Sequence, residues 1–507
     1  MAGIAKRLRD ESGVTLLLVL VVMSALAAGV TTTMTFSASA NRTAVRGTAD
    51  QQAFGYAEAG VNSAMSALHA PGANALDPSL LPPPPPSPAA RRDDYGTGHV
   101  LWGATLNTTT LQWTITSIGY APNTTSAGLP DRWKQIRAVS QVEPSLTQPL
   151  NNQVWNYIYS TSRAGPGVCD VTVANNAILS APIYAEGNVC LSPNAHITEP
   201  ANSPPTPISL VVKGKLQLSN NSSVGASRTQ PITEAHVSGG CGASLSNVHT
   251  CNPSSPVNDA VWARTLDTTA PPITPPVPDW TSWYGSATLG PNAPCFTAGA
   301  LRPPTFDNDG VLDLSTNGSA GTLDLTPPTG SYTCKSAYGE LSWDASTRVL
   351  TVKGVIYFDG SAVVSNGLVN EYNGQATLYL TGTFTMINNS MMCGKRNAAL
   401  TDCDFSSATG WNPNTEMLIV VAHGKDASVP PNSVILNNNT KWEGGVYSQN
   451  GLQLVNNAVV EGPMILGGFM VTNNVTAKPF PVINTVPLGA PGNPNVYADA
   501  RTPIIIG

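Results

Sequence analysis

The feature that most restricts the fold is a short pattern, apolar-x-apolar-x-Asn-Asn, that recurs through the second two-thirds of the chain. It stands at Val171–Asn176, Leu216–Asn221, Phe384–Asn389, Val434–Asn439, Leu452–Asn457 and Phe469–Asn474, with looser relatives at Val189–Asn194 and Val363–Gly367. The last three strict copies start 18 and 17 residues apart. Alternation at period two makes a short strand with one apolar face. Asn suits the corner that follows, because it tolerates left-handed backbone angles. A near-constant step of this length matches one coil of a β-solenoid, each coil stacking about 4.8 Å above the last. Stacked Asn amides can then hydrogen-bond from coil to coil. Leu210-Val-Val-Lys-Gly214 and Leu350-Thr-Val-Lys-Gly354 form a second matched pair. The expected head is therefore mainly β: a parallel β-helix-like solenoid in two parts, 146–250 and 340–507 with a C-terminal tail, around a Pro/Gly-rich insertion at 251–339. An antiparallel β-sandwich head is the alternative, since short alternating strands serve both folds. Continuity between the two parts is left open.

The other end of the chain is built differently. Lys6, Arg7 and Arg9 form a basic start that favours the cytoplasm, and no charged residue occurs from Ser12 to Asn41. The apolar stretch Val14–Phe36 is 23 residues long, enough for a helix to span a bilayer. Ala38-Ser39-Ala40 offers a small-residue site if the segment is a secretory signal. Beyond Arg42, however, Val45, Ala49, Ala53, Phe54, Ala57, Val61, Ala64, Met65 and Leu68 recur every three or four positions as one helical face. A helix from Val14 to His69 would be about 84 Å long. A signal peptide has no use for such an extension, whereas a filament subunit can pack it on neighbours.

Two stretches of this region carry a family resemblance. Glu11-Ser12-Gly13-Val14-Thr15-Leu16-Leu17 is similar to the leader and cleavage box of prepilins. Ala53-Phe54-Gly55-Tyr56-Ala57-Glu58-Ala59-Gly60 is similar to the Ala-Glu-Ala-Gly stretch of minor pilins. On these residues the first ~70 positions resemble a type IV pilin-like protein of the PilX-type minor pilins. The resemblance implies cleavage by a prepilin peptidase after Gly13 and methylation of the new N-terminus at Val14. It also implies a single membrane helix through Val14, Leu16, Leu17, Leu18, Leu20 and on to Phe36, and a helix motif at Ala57, Glu58, Ala59 and Gly60. One position departs: pilins of the major kind carry Glu at the fifth mature residue, and this chain has Leu18. By that analogy the subunit sits at a filament tip.

These readings divide the chain into a cytoplasmic leader (1–13), a long helix (14–70), a Pro-rich linker (71–95), a small antiparallel β unit (96–145) and the head. The linker contains Leu81-Pro82-Pro83-Pro84-Pro85-Pro86-Ser87-Pro88, which reads as a semi-rigid extended spacer. Strands are expected at Thr110–Gly119 and Trp133–Val139.

Charged residues make up 11% of the chain, against about 25% in ordinary soluble proteins, and the net charge is −6. That balance argues against a nucleic-acid partner, which needs phosphate-neutralising cations. Eight Cys in an exported chain suggest disulfides, and nearest-neighbour pairing gives Cys169–Cys190, Cys241–Cys251, Cys295–Cys334 and Cys393–Cys403. His236, Cys241, His249 and Cys251 are the residue types of a zinc site, but their spacing is irregular and disulfide pairing is the stronger reading. The 18- and 17-residue steps place Glu443, Glu461 and Lys478 in one line. Two carboxylates so close would suit a retaining glycosidase. The stronger reading is a surface charge ladder. Trp411, Trp442, Tyr447, Tyr357 and Tyr372 are candidates for an exposed sugar-binding stripe, with packing in the core or corners the stronger reading. No metal or cofactor site and no catalytic motif is expected.

The function expected is that of a minor, tip-type subunit of a type IV pilus-like filament or pseudopilus. Its bulk would lie outside the cytoplasm and reach the cell surface on assembly. Its partners would be other pilin or pseudopilin subunits, the inner or cytoplasmic membrane, prepilin peptidase and a surface or glycan ligand. The alternative is an exported, membrane-anchored or secreted β-helix protein that binds or processes polysaccharide.

Overall fold

The computed structural model describes residues 2–506 apart from 71–74, 76, 108–109, 111, 123–129, 145–146, 162–166, 201–206, 255–258, 282–311, 336–338, 407–409 and 493–497. Side chains of residues 2–15, 143, 144, 147, 335, 498 and 499 are not described either. Gly13, Val14 and Cys295 fall among these positions, the first two with only their helical backbone described. The chain forms two compact units, Met1–Glu143 with Tyr497–Gly507, and Pro144–Val496. In sequence the larger unit is thus an insertion into the smaller.

In the smaller unit one helix, α1 (Ala2–Leu68), runs for 67 residues without a break at Ala38-Ser39-Ala40. Four strands, β1 (Arg91–Tyr95), β2 (Gly98–Asn107), β3 (Gln112–Ala121) and β4 (Arg132–Pro144), pair antiparallel in chain order. The sheet therefore begins inside the segment expected to be linker, because Arg91–Tyr95 folds back on Gly98–Trp102. The proline run is not a bare spacer either. Leu81 is buried, and the Pro82 carbonyl accepts a hydrogen bond from Ala104 N at 2.8 Å. At the other edge Ile504–Ile505 pairs with β4, and Ala498–Ala500 continues the sheet. The C-terminal tail, grouped by sequence with the second part of the solenoid, supplies hydrogen bonds to an edge that would otherwise go unpaired.

The larger unit is a parallel β-helix. Its ladders are parallel from coil to coil, which excludes the sandwich alternative. Its two parts form one continuous stack, but not in sequence order. The last coil of the second part, Met464–Val471, pairs on one side with Gly445–Leu454 and on the other with Ile158–Ser160 and Val171–Val173, the first strands of the first part. The chain thus enters mid-stack and winds out to Ala263–Asp267, then resumes at the opposite end at Thr322–Asp324 and winds back to the middle.

One face is buried on both sides. Its inner side holds Leu378, Val420, Val446, Met464, Ile158 and Ile183. Its outer column runs Tyr357, Tyr379, Val421, Tyr447, Ile465, Tyr159, Tyr184 in register. Two segments cover that column. Tyr184 Oη donates to the Pro271 carbonyl at 2.7 Å, and Trp280 packs edge-on to Tyr379 with ring centroids 5.1 Å apart. From the tail, the Gly489 and Pro491 carbonyls accept from Tyr379 Oη and Trp155 Nε1 at 2.8 and 2.9 Å.

The corners explain the repeat. Asn389, Asn439, Asn457, Asn474, Asn176, Asn194 and Asn221 all have φ between 58° and 66°, the left-handed region. Each is the second Asn of a strict copy, or Asn194 of the looser relative. The backbone N–H groups of Asn389, Asn439, Asn457, Asn474 and Asn194 each bond to the first Asn carbonyl of the corner one coil on, as from Asn439 to Asn456 at 3.0 Å, and the Asn474–Asn175 bond crosses the junction of the two parts. Side chains add a ladder: Asn439 Nδ2 donates to Asn389 Oδ1 at 3.0 Å, and Asn457 Nδ2 to Asn439 Oδ1 at 2.9 Å. Replacing Asn439 by Ala removes both links and forces an alanine into φ 58°. The expected cost is about 1–2 kcal/mol, and Asn439→Gly should cost less because glycine accepts that angle freely. Thermal unfolding of the two variants checks this; equal losses would contradict the backbone account.

Candidate functional site

Two features of the molecule carry chemistry beyond folding: the two-part surface of α1 and a pair of buried carboxyls in the β-helix.

Along α1 the described side chains from Leu16 to Phe36 are all exposed, among them Leu16, Leu17, Leu18, Leu20 and Phe36 at 79%. This stretch is long and apolar enough to cross a membrane. The second half of the helix is docked. Ala53, Ala57, Val61, Ala64, Met65 and Leu68 are buried, the last five in one cluster with Val100, Trp102, Trp113 and Ile115 of β2 and β3. The docking depends on glycine on both partners. A Cβ at Gly60 would collide with Ser117 Oγ and lie 2.8 Å from Val100 Cγ2, while one at Gly119 would collide with the Ala53 carbonyl. Of the Ala57-Glu58-Ala59-Gly60 motif, Ala57 and Gly60 face the sheet, Glu58 is exposed and Ala59 is half-buried. An Asp50–Arg132 pair with bonds of 3.0 and 3.1 Å fixes the helix to β4. Gly119, Asp50 and Arg132 were not singled out from sequence. Gly119 had a readable signal, because an isolated glycine in an alternating strand marks a close backbone approach.

Glu443, Glu461 and Lys478 stack in register on consecutive coils, as the residue step predicts. They are not a surface ladder. Glu443 is fully buried and Glu461 is 6% exposed. The connection between coils at 394–416 seals them: Trp411 packs against Gly394 and Gly462, and Lys395 N donates to Glu443 Oε2 at 3.0 Å. Glu443 Oε1 and Glu461 Oε2 are buried without a hydrogen-bond partner. Burial, then the neighbouring Glu461, pushes the Glu443 carboxyl up to about 9. Burial, opposed by Lys478 and reinforced by Asp404, pushes Glu461 up to about 8. At neutral pH the pair therefore holds protons. A glycosidase needs both carboxyls in contact with substrate, and this burial does not allow it.

The remaining candidates are placed as follows. Cys169–Cys190, Cys241–Cys251 and Cys393–Cys403 are disulfides. Cys334 is buried, and its expected partner Cys295 lies outside the described residues. Zinc is excluded at the Cys/His group because both thiols are joined to each other, while His236 bonds Asp267 at 2.7 Å and His249 bonds Asp259 at 2.9 Å. The aromatic stripe is likewise internal: Tyr357, Tyr372 and Trp442 are fully buried, Trp411 nearly so and Tyr447 half-buried.

The fold is thus a long helix, apolar and uncovered in its first half and laid on an antiparallel sheet in its second, followed in sequence by a mostly β domain. Among solved structures, the competence-associated pilin ComZ from Thermus thermophilus is similar at 14% identity and TM-score 0.33, with 90% of this chain and 97% of that one covered. No family model and no curated protein matches the chain.

Proposed function

We propose that this chain is a minor subunit of a type IV pilus-like filament or pseudopilus, of the PilX-type, and that it displays its β-helix for surface contact. The observation that carries the reading is the divided helix. Some 20 consecutive positions from Leu16 to Phe36 are uncovered, while the following turns are locked onto a sheet. Such a helix has a membrane to reside in before assembly and other subunits to pack on afterwards. Burial between subunits is worth about 25 cal/mol per Å² of apolar surface. Prepilin peptidase is the partner that cleaves after Gly13, and methylation follows at Val14. With Leu18 in place of the usual Glu, the subunit belongs at the tip. Its work in this reading is display, not catalysis.

The test is the N-terminal mass of the mature protein together with its presence in sheared surface fibres. A methylated start at Val14 is expected. Gly13→Ala should leave the leader attached and deplete the protein from fibres; an unchanged fibre content in that variant contradicts the proposal.

A further inference from the structure

The left-handed Asn corners stop at Asn221, near one end of the stack, and a cavity opens beside that corner. After Cys241 and Gly242 align with Leu216 and Gln217, the chain does not form another Asn-Asn corner. It turns into a hairpin, Cys241–Ser244 antiparallel to Asn247–His249, closed by the Cys241–Cys251 disulfide. The hairpin stands off the preceding corner and leaves a space of about 680 Å³ between the two.

The lining mixes apolar side chains such as Leu218 with planar polar groups: the amides of Asn221 and Asn247, the imidazoles of His196 and His249, the Asp259 carboxylate and the Trp262 indole. Internal bonds hold several of these groups in place. His196 Nδ1 bonds Ser223 Oγ at 2.8 Å, His249 Nε2 bonds Asp259 at 2.9 Å, and Asp259 also accepts from Asn252 N at 2.6 Å. Among the described residues the second nitrogen of each imidazole makes no further hydrogen bond. Trp262 Nε1 is buried without a partner. Among the described residues no Lys or Arg lines the space.

We infer that this cavity binds a neutral saccharide. Its volume falls within the range of small-molecule sites. A pyranose offers an apolar ring face suited to an indole and a rim of hydroxyls that pair with amides and imidazoles. A phosphate or sulfate group would find no cation here, and an apolar ligand would leave the amides unpaired. The inference deepens the display reading by naming a ligand class. Its test uses purified full-length protein, so it succeeds or fails independently of filament entry.

The experiment presents the detergent-solubilised chain to immobilised neutral oligosaccharides of glucose, galactose and N-acetylglucosamine, with a sialylated oligosaccharide and duplex DNA as charged probes. Retention on at least one neutral glycan is expected. Trp262→Ala and Asn247→Ala should each weaken that binding by about tenfold or more. Asn247 is exposed on the hairpin, so its variant tests the site even if Trp262→Ala fails to fold. Three results overturn the inference: no neutral glycan retained, retention unchanged in Asn247→Ala, or binding confined to the charged probes.

Discussion

The β-helix is expected to lose stability steadily as the pH rises from about 5 to about 9, and to regain most of that loss when Glu443 and Glu461 are both replaced by Gln. In the unfolded chain both carboxyls titrate near 4.5, whereas in the folded protein burial, reinforced at Glu443 by Glu461 and at Glu461 by Asp404, raises them to about 9 and about 8. Between those limits the folded state holds protons that the unfolded state has released, so stability falls with rising pH. Their contribution is complete below the unfolded value, shrinks as pH climbs, and is exhausted once the folded values are passed. Each group contributes a slope of up to about 1.4 kcal/mol per pH unit. The direction is opposite to that of an ordinary ion-paired carboxylate, which makes the effect diagnostic. Gln keeps the shape and can still accept from Lys395 N without a titrating proton. Thermal midpoints measured across this pH range for wild type and the double variant decide the matter. Parallel curves would mean that the pair is not protonated in the folded state.

A second large effect is expected where α1 meets its sheet. Gly60→Val should undock the helix, because the added carbons meet Ser117, Val100 and Trp102 on a surface with no room to retreat. Overpacking of this kind costs about 1–3 kcal/mol, and the branched side chain adds to it. Gly119→Val attacks the same contact from the other side, where the obstacle is helix backbone. Gly55 provides the contrast, since a Cβ there meets nothing within 4 Å. Gly55→Ala should stabilise the helix by up to about 1 kcal/mol, as expected for an exposed helical glycine. Limited proteolysis between residues 42 and 90 reads all three variants. Protection in Gly60→Val equal to wild type would show that the helix does not need the close approach.

The parts of this molecule that were legible in the sequence are those in which one residue type answers to local physics. The Asn-Asn corners were readable because few residues other than glycine adopt left-handed angles so readily, and a constant step repeats that demand coil after coil. The apolar run ending at Phe36 and the three-to-four spacing from Val45 to Leu68 were readable because composition and helical periodicity are local. Register along the stack was also accessible, since an 18-residue step placed Glu443 beside Glu461. Burial was not. Nothing near Glu443 in sequence says that Trp411 and Lys395 will close over it, because that loop belongs to another coil. The Tyr357 column was ambiguous on the same grounds. An outward-facing tyrosine is a binding stripe or a second core depending on whether Trp280 and Gly489, far along the chain, lie on top of it.

The kinds of element present follow from the sequence alone: a long helix with two different halves, left-handed Asn corners, and short strands that recur with each coil. Only the tertiary structure decided their order in space, with the second part of the solenoid stacked ahead of the first and the last residues returned to the small sheet beside β4. The physical reason is that a parallel ladder constrains which strand can lie next to which face, but not which part of the chain supplies it. Backbone edges pair with whatever strand satisfies their hydrogen bonds, so the neighbour is chosen by the folded whole.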